Sequence, residues 1–212
     1  MKCAVKYAEK INNADKSGRE LLYFLDASSA AYLRKTYGYG KTLIYRFLTE
    51  AYNSMVDDME WYSAENDCER GKICNAYYAA LNRLKCANIN LKEWEDDIVK
   101  NHTYKVFSGR RAGKQFQNNR IDFVKHAWLI ANSYYAQVME WLHNDRGFGA
   151  ARCKKAYYDL RQIYDEYMDH YLWCSDLGDA YCKKMTEEAK KTVEELSISI
   201  NIRFEEEQKL SS

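Results

Sequence analysis

Gly40-Lys41-Thr42 has the ending of a phosphate-binding P-loop, where backbone N–H groups and a lysine cradle phosphates. The first glycine of that motif would fall at position 35, which is Lys35, and the related stretch Gly149-Ala150-Ala151 carries no lysine. Four histidines, His102, His126, His143 and His170, show no HxxxH or HExxH spacing, so no helix offers paired imidazoles to a metal. Asp57-Asp58 and Asp96-Asp97 are sequence neighbours that point apart on a helix and read as solvated faces. There is no GxSxG, and the seven cysteines form no CxxC pair. Cys68, Cys74, Cys86, Cys153, Cys174 and Cys182 lie on helical patterns and read as buried reduced thiols. The chemistry-bearing residues thus give no catalytic set, no metal site and no cofactor motif. The expectation is binding without catalysis.

Positive charge offers the better binding signal. From Ile98 to Ile121 the chain carries Lys100, Lys105, Arg110, Arg111, Lys114 and Arg120 and no Asp or Glu. Tyr104, Phe107 and Phe116 are interleaved with them. Cations for phosphates with aromatics for base stacking make a nucleic-acid signature. A solvated basic loop and a contact for an acidic protein are the other readings of that stretch. Lys41 and Arg152, each beside a Gly-aromatic-Gly triplet, complete the candidate contact residues. The net charge of +1 supplies no global attraction, so any affinity for nucleic acid has to come from a local patch.

The elements that must position these residues read as helices. Proline is absent, where average usage of about 5% would give roughly ten residues. Helix interiors exclude proline while turns and edge strands recruit it, so its absence favours long helices with short connections. Gly38-Tyr39-Gly40 recurs as Gly147-Phe148-Gly149, a shift of 109 positions. Leu33/Leu142, Met59/Met168, Tyr62/Tyr171, Asp67/Asp176, Ala80/Ala189 and Ile89/Ile198 match in the same register. The apolar stripe Ile44, Phe47, Leu48, Ala51, Met55, Met59 and Tyr62 has helical spacing. Its shifted counterpart is Cys153, Ala156, Tyr157, Leu160, Tyr164, Met168 and Tyr171. A duplicated helix–GΦG–helix unit (Φ aromatic), residues 32–91 and 141–200, is the expected organisation. Gly38, Gly40, Gly147 and Gly149 are the expected tight-turn residues, since glycine tolerates positive φ between two helices.

Along the chain, a short first helix runs to the polar stretch Asn12–Gly18, and Glu20–Tyr37 forms a second segment that Ser28-Ser29 is placed to kink. Helices follow over Lys41–Tyr62, around Ile73–Leu84, and over Leu91–Lys100 behind an Asn90/Glu93 capping box. The second half reads as helices over Ile121–His143, from Gly149 to Trp173, and over Asp179–Leu196. Ser197–Phe204 alternates in a strand-like period and fits a helix continuation or a short edge strand equally. The expected architecture is an all-α helical bundle: an N-terminal half (1–100), a basic connector (101–120) and a C-terminal half (121–212).

The pattern Leu33-x4-Gly38-Tyr39-Gly40-x3-Ile44-x2-Phe47 resembles the helix-hairpin-helix, a family of non-specific DNA-backbone binders, with an aromatic in place of the usual Ile or Val. Leu142-x4-Gly147-Phe148-Gly149-x3-Cys153 matches it as well. The runs Tyr37–Lys41 and Arg146–Arg152 also resemble the FGFGxxR-type helix start of small helical proteins from Firmicutes phages and prophages, some of which are anti-defence factors including anti-CRISPRs. That resemblance implies a phage or mobile-element binding protein that occupies a host protein or ribonucleoprotein complex, such as an anti-CRISPR-like inhibitor of an RNA-guided nuclease. The alternative it leaves is a helix-hairpin-helix-type nucleic-acid-binding protein of phage replication or recombination. Met1–Lys10 lacks the apolar core of a signal peptide and no apolar window reaches membrane-spanning length, so a soluble cytoplasmic protein without membrane or cofactor is expected.

Overall fold

The computed structural model of the chain describes residues 2–61, 69–101, 114–173 and 176–196. Seven helices occupy them: α1 (Lys2–Tyr37), α2 (Lys41–Trp61), α3 (Glu69–Cys86), α4 (Leu91–Asn101), α5 (Lys114–Arg146), α6 (Ala150–Trp173) and α7 (Asp176–Glu194). Among the described residues there is no strand, and the protein is all-α. Ser197–Phe204 and most of the connector, with Lys105, Arg110 and Arg111, lie outside the described residues.

Helices α1 and α5 form the centre. From Leu21 to Leu33, and from Ile130 to Leu142, nearly every side chain is buried on every side. A helix apolar around its whole circumference must be clad by others. The cladding is exchanged between the halves: α3 packs on α5 and α7 on α1, with α2 and α6 each touching both central helices. The two halves therefore share one core. The stripe on α2 is buried from Ile44 to Met55 as its spacing predicts (Ile44 0%, Phe47 0%, Ala51 2% exposed), and its α6 counterpart from Cys153 to Met168 likewise (Cys153 0%, Ala156 0%, Leu160 0%), while the side chains of Met59, Tyr62 and Tyr171 lie outside the described residues.

Three boundaries differ from the sequence reading. Helix α1 is continuous through Asn12–Gly18 and Ser28-Ser29. A single Gly costs a helix only ~1 kcal/mol, and the Ser28 hydroxyl donates back to the Leu25 carbonyl at 3.3 Å, so neither break occurs. Helix α5 begins at Lys114, inside the expected connector, and α7 begins at Asp176. At the start of α4 the Asn90 amide bonds the Glu93 carboxylate at 3.1 Å, side chain to side chain.

Both glycine triplets are three-residue turns, with Gly38 at φ 68° and Gly147 at φ 63°. Their N–H groups donate to the carbonyls of Arg34 and His143, both at 3.0 Å, the bond of an αL helix cap, and in the second turn the Phe148 N–H adds a bond to the Leu142 carbonyl at 3.0 Å. Gly40 and Gly149 do something else: their carbonyls accept the first bonds of α2 and α6, from Ile44 N and Cys153 N, both at 3.1 Å. Strain is therefore expected only at the first glycine of each triplet. Gly38→Ala should cost ~1 kcal/mol, the left-handed penalty less the gain from a stiffer unfolded chain. Gly38→Asn should cost clearly less, because Asn tolerates this region, as Asn88 does here at φ 59° where α3 ends. Urea midpoints compare the two variants, and equal losses would contradict the assigned strain.

Candidate functional site

The two turns lie at the same end of the bundle. The Tyr134 hydroxyl on α5 donates to the Asp26 carboxylate on α1 at 2.9 Å, and further along the rings of Tyr37 and Phe148 stand 5.1 Å apart. Those two contacts join nearly equivalent heights of α1 and α5, so the central helices run side by side in one direction. Each turn leans on the other half: Phe148 meets Tyr37, and the Arg146 guanidinium sits 5.3 Å over the Tyr39 ring. The middle aromatics are buried (Tyr39 8%, Phe148 4% exposed), so they anchor the turns and present no stacking surface.

Basic side chains crowd this end. Residues 27–49 contain Arg34, Lys35, Lys41 and Arg46 and no acid, and residues 146–158 contain Arg146, Arg152, Lys154 and Lys155 and no acid. Arg46 pairs with Glu50 at 2.7 Å and with Asp145, and Lys155 pairs with Asp159 at 2.7 Å. Arg34, Lys35, Lys41, Arg146, Arg152 and Lys154 have no carboxylate partner among the described residues. Arg34, Lys35 and Arg146 occupy last helical turns, where the helix dipole favours cations. Lys41, Arg152 and Lys154 are the informative ones. Lys41 and Arg152 lie in the first turns of α2 and α6 and Lys154 just beyond; those first turns hold no acidic residue and their N-caps are glycines without a capping side chain. Cations there oppose the positive pole of the dipole and leave backbone N–H groups for an outside acceptor.

Sequence reading named Lys41 and Arg152, and the structure brings both to this end. Arg152 also folds back on its own turn, where one N–H donates to the Gly147 carbonyl at 2.8 Å while the guanidinium lies 4.6 Å over Phe148. That fold-back gives a physical reason for an arginine three residues after the second glycine. Lys114 and Arg120 belong to α5, and Lys105, Arg110 and Arg111 lie outside the described residues, so the connector is not brought to the turns by anything described. The acid-free windows around the turns were legible in the sequence, but the longer acid-free connector outweighed them there. His143 was missed as well. Its Nδ1–H donates to the Phe148 carbonyl at 2.8 Å, where Arg34 reaches the Tyr39 carbonyl at 3.4 Å in the first turn.

Other clusters are structural. Glu95, 2% exposed, accepts from the Tyr77 hydroxyl, the Asn132 amide and Lys92 Nζ (3.0 Å). Asn132 in turn accepts from buried Arg161 at 2.7 Å, so α3, α4, α5 and α6 are joined through one polar chain. Burial and the neighbouring Glu95 charge raise the Tyr77 pKa well beyond its ordinary value, so the phenol stays a donor. Asp58 is not the solvated acid its sequence position indicated: Arg83 holds it with two N–H donors (2.9 and 2.6 Å) and also binds Glu140 at 2.6 Å. Asp58 and Arg83 flank an open polar groove of ≈ 510 Å³ with Glu50, Asn53, Ser54 and Asp57. Cys153 and Cys182 are buried as expected, whereas Cys86 is exposed. Burial pushes the Cys153 thiol up to about 11, which keeps it protonated and unreactive at neutral pH.

No group of three or more His, Cys, Asp or Glu among the described residues is placed to hold a metal ion. No described helix is long and apolar enough to cross a membrane. No family model, no curated protein and no solved structure matches the chain.

Proposed function

We propose that the protein is a non-catalytic binding protein that grips a phosphate backbone of nucleic acid with its two-turn end, the helix-hairpin-helix-type reading. The observation that carries it is the opening of α2 and α6, where Lys41 and Arg152 stand against the positive helix pole with no acid in the first turn and Lys154 follows just beyond it. Such placement costs helix stability, and local conflicts of this kind concentrate where function requires them. A phosphate at these N-termini relieves the conflict: it accepts from the uncapped N–H groups and neutralises the cations.

A buried aromatic pair leaves the bases no stacking platform at the turns, so backbone contact without sequence preference is the matching mode. Nothing among the described residues bears on inhibition of a nuclease complex.

The test is anisotropy of a fluorescein-labelled 20-mer at two salt concentrations. With about six cations that have no carboxylate partner engaged, affinity should fall roughly 10³-fold between 50 and 200 mM salt. Binding that ignores salt, or no binding of bare nucleic acid at 50 mM salt, would remove this reading and favour a protein or ribonucleoprotein partner.

A further inference from the structure

Contacts between the two halves come in exchanged pairs. Trp141 Nε1 donates to the Glu50 carboxylate at 2.8 Å, and the Tyr32 hydroxyl donates to the Asp159 carboxylate at 2.8 Å. Adding 109 to Tyr32 gives Trp141, and adding 109 to Glu50 gives Asp159, so the same bond is made twice with the halves exchanged. The ring contact Tyr37–Phe148 and the cation–ring contact Arg146–Tyr39 are exchanged in the same way, at 5.1 and 5.3 Å. Whole helices follow the shift as well. It carries α2 onto α6 and α3 onto α7, and the packing of α3 on α5 is answered by that of α7 on α1. When residue i of one unit meets residue j of the other, and j meets i in return, the interface is isologous, the relation of two protomers across a dimer two-fold.

The exchange leaves neither half complete by itself. Between Ile130 and Leu142, where α5 is buried on nearly every side, it takes α3 and α2 of the first half against it. Between Leu21 and Leu33, α1 takes α7 and α6 of the second half in return. Phe24 of α1 stacks on Tyr167 of α6 at 3.9 Å, and the Trp94 ring of α4 lies 6.1 Å from Tyr157 of α6. A seam of this kind is a core cut in half, as in obligate dimers, whereas independent domains meet through smaller and more polar seams. We infer that the protein is a two-fold dimer fused into one chain. The surface between its halves is a self-recognition surface whose partner is a second copy of the same helical unit, and it holds that partner without the covalent connection. Helix α4 stands outside the exchange, because the shift places its counterpart at 200–210, outside the described residues. The inference is independent of what the turn end binds.

The experiment cuts the folded full chain at a protease site inserted between Gly109 and Arg110, with complete cleavage confirmed on a denaturing gel. The two fragments are expected to stay together at micromolar concentration, as one species in native mass spectrometry with the helical circular dichroism of the uncut chain. The urea midpoint of the cut protein should rise with protein concentration, as a bimolecular association requires, while that of the uncut chain does not. Glu50→Ala and Asp159→Ala each remove one of the two exchanged bonds, so each should weaken association of the cut fragments, about five- to tenfold. Fragments that separate and stay helical would make the halves independent domains. Fragments that lose their helices on cutting would show that the connection, and not the surface, holds the halves. Either result overturns the fused dimer, and so does a loss of association confined to one of the two variants.

Discussion

Replacing Glu95 with Ala is expected to destabilise the protein by ~3–5 kcal/mol, the range for removing one partner of a buried charged cluster. The carboxylate is the common acceptor for Tyr77 on α3, Lys92 on α4 and Asn132 on α5, and Asn132 passes the chain on to Arg161 on α6. Its loss leaves the Tyr77 hydroxyl and the Asn132 amide without the acceptor that holds them. Glu95→Gln keeps the shape and one acceptor, so it should lose less, about 1–2 kcal/mol. Glu93→Ala, which removes an exposed first-turn acid bonded to Asn90 on the same helix, should lose less than Glu95→Ala, about 0.5–1 kcal/mol. Urea unfolding followed by circular dichroism measures all three. A Glu95→Ala loss below 1 kcal/mol would show that this cluster is wet and does not tie the four helices together.

The same cluster marks the limit of what the sequence disclosed. Glu95 sits in the acidic run Glu93–Asp97, and nothing in its spacing separates it from its solvated neighbours. Its partners come from α3 and α5, so the burial exists only once those helices pack. The α2 stripe was readable because one face alone of that helix is buried, which prints the 3.6-residue period directly. Helix α1 was split in two at the polar stretch Asn12–Gly18, and Ser28-Ser29 read as a kink in its second part, although both serines are buried in the bundle. The αL glycines were legible from residue type, but which glycine of each triplet carries the positive φ required the backbone. The cationic end was half legible. Its charges are printed in residues 27–49 and 146–158, yet only parallel packing of α1 and α5 puts them together.

The second large effect concerns that end. Lys35, Lys41 and Lys154 are exposed, none has a carboxylate partner among the described residues, and none bears on a buried contact, so the triple change to Glu should leave the thermal midpoint nearly unchanged. Each lost charge-assisted phosphate contact weakens binding by about 1–1.5 kcal/mol, and three together give at least ~100-fold. The reversed charges add repulsion on top of this. A matching change at the connector residues Arg110, Arg111 and Lys114 serves as the comparison within the same chain.

The most direct test of backbone binding at the turns is the slope of log affinity against log salt for the parent and for the Lys35/Lys41/Lys154→Glu variant, measured on one labelled duplex. If these residues neutralise phosphates, the slope flattens by about three and the affinity loss is the same for unrelated sequences. An unchanged slope in that variant, with a flattened slope in the connector variant instead, would contradict the assignment of the site to the paired turns.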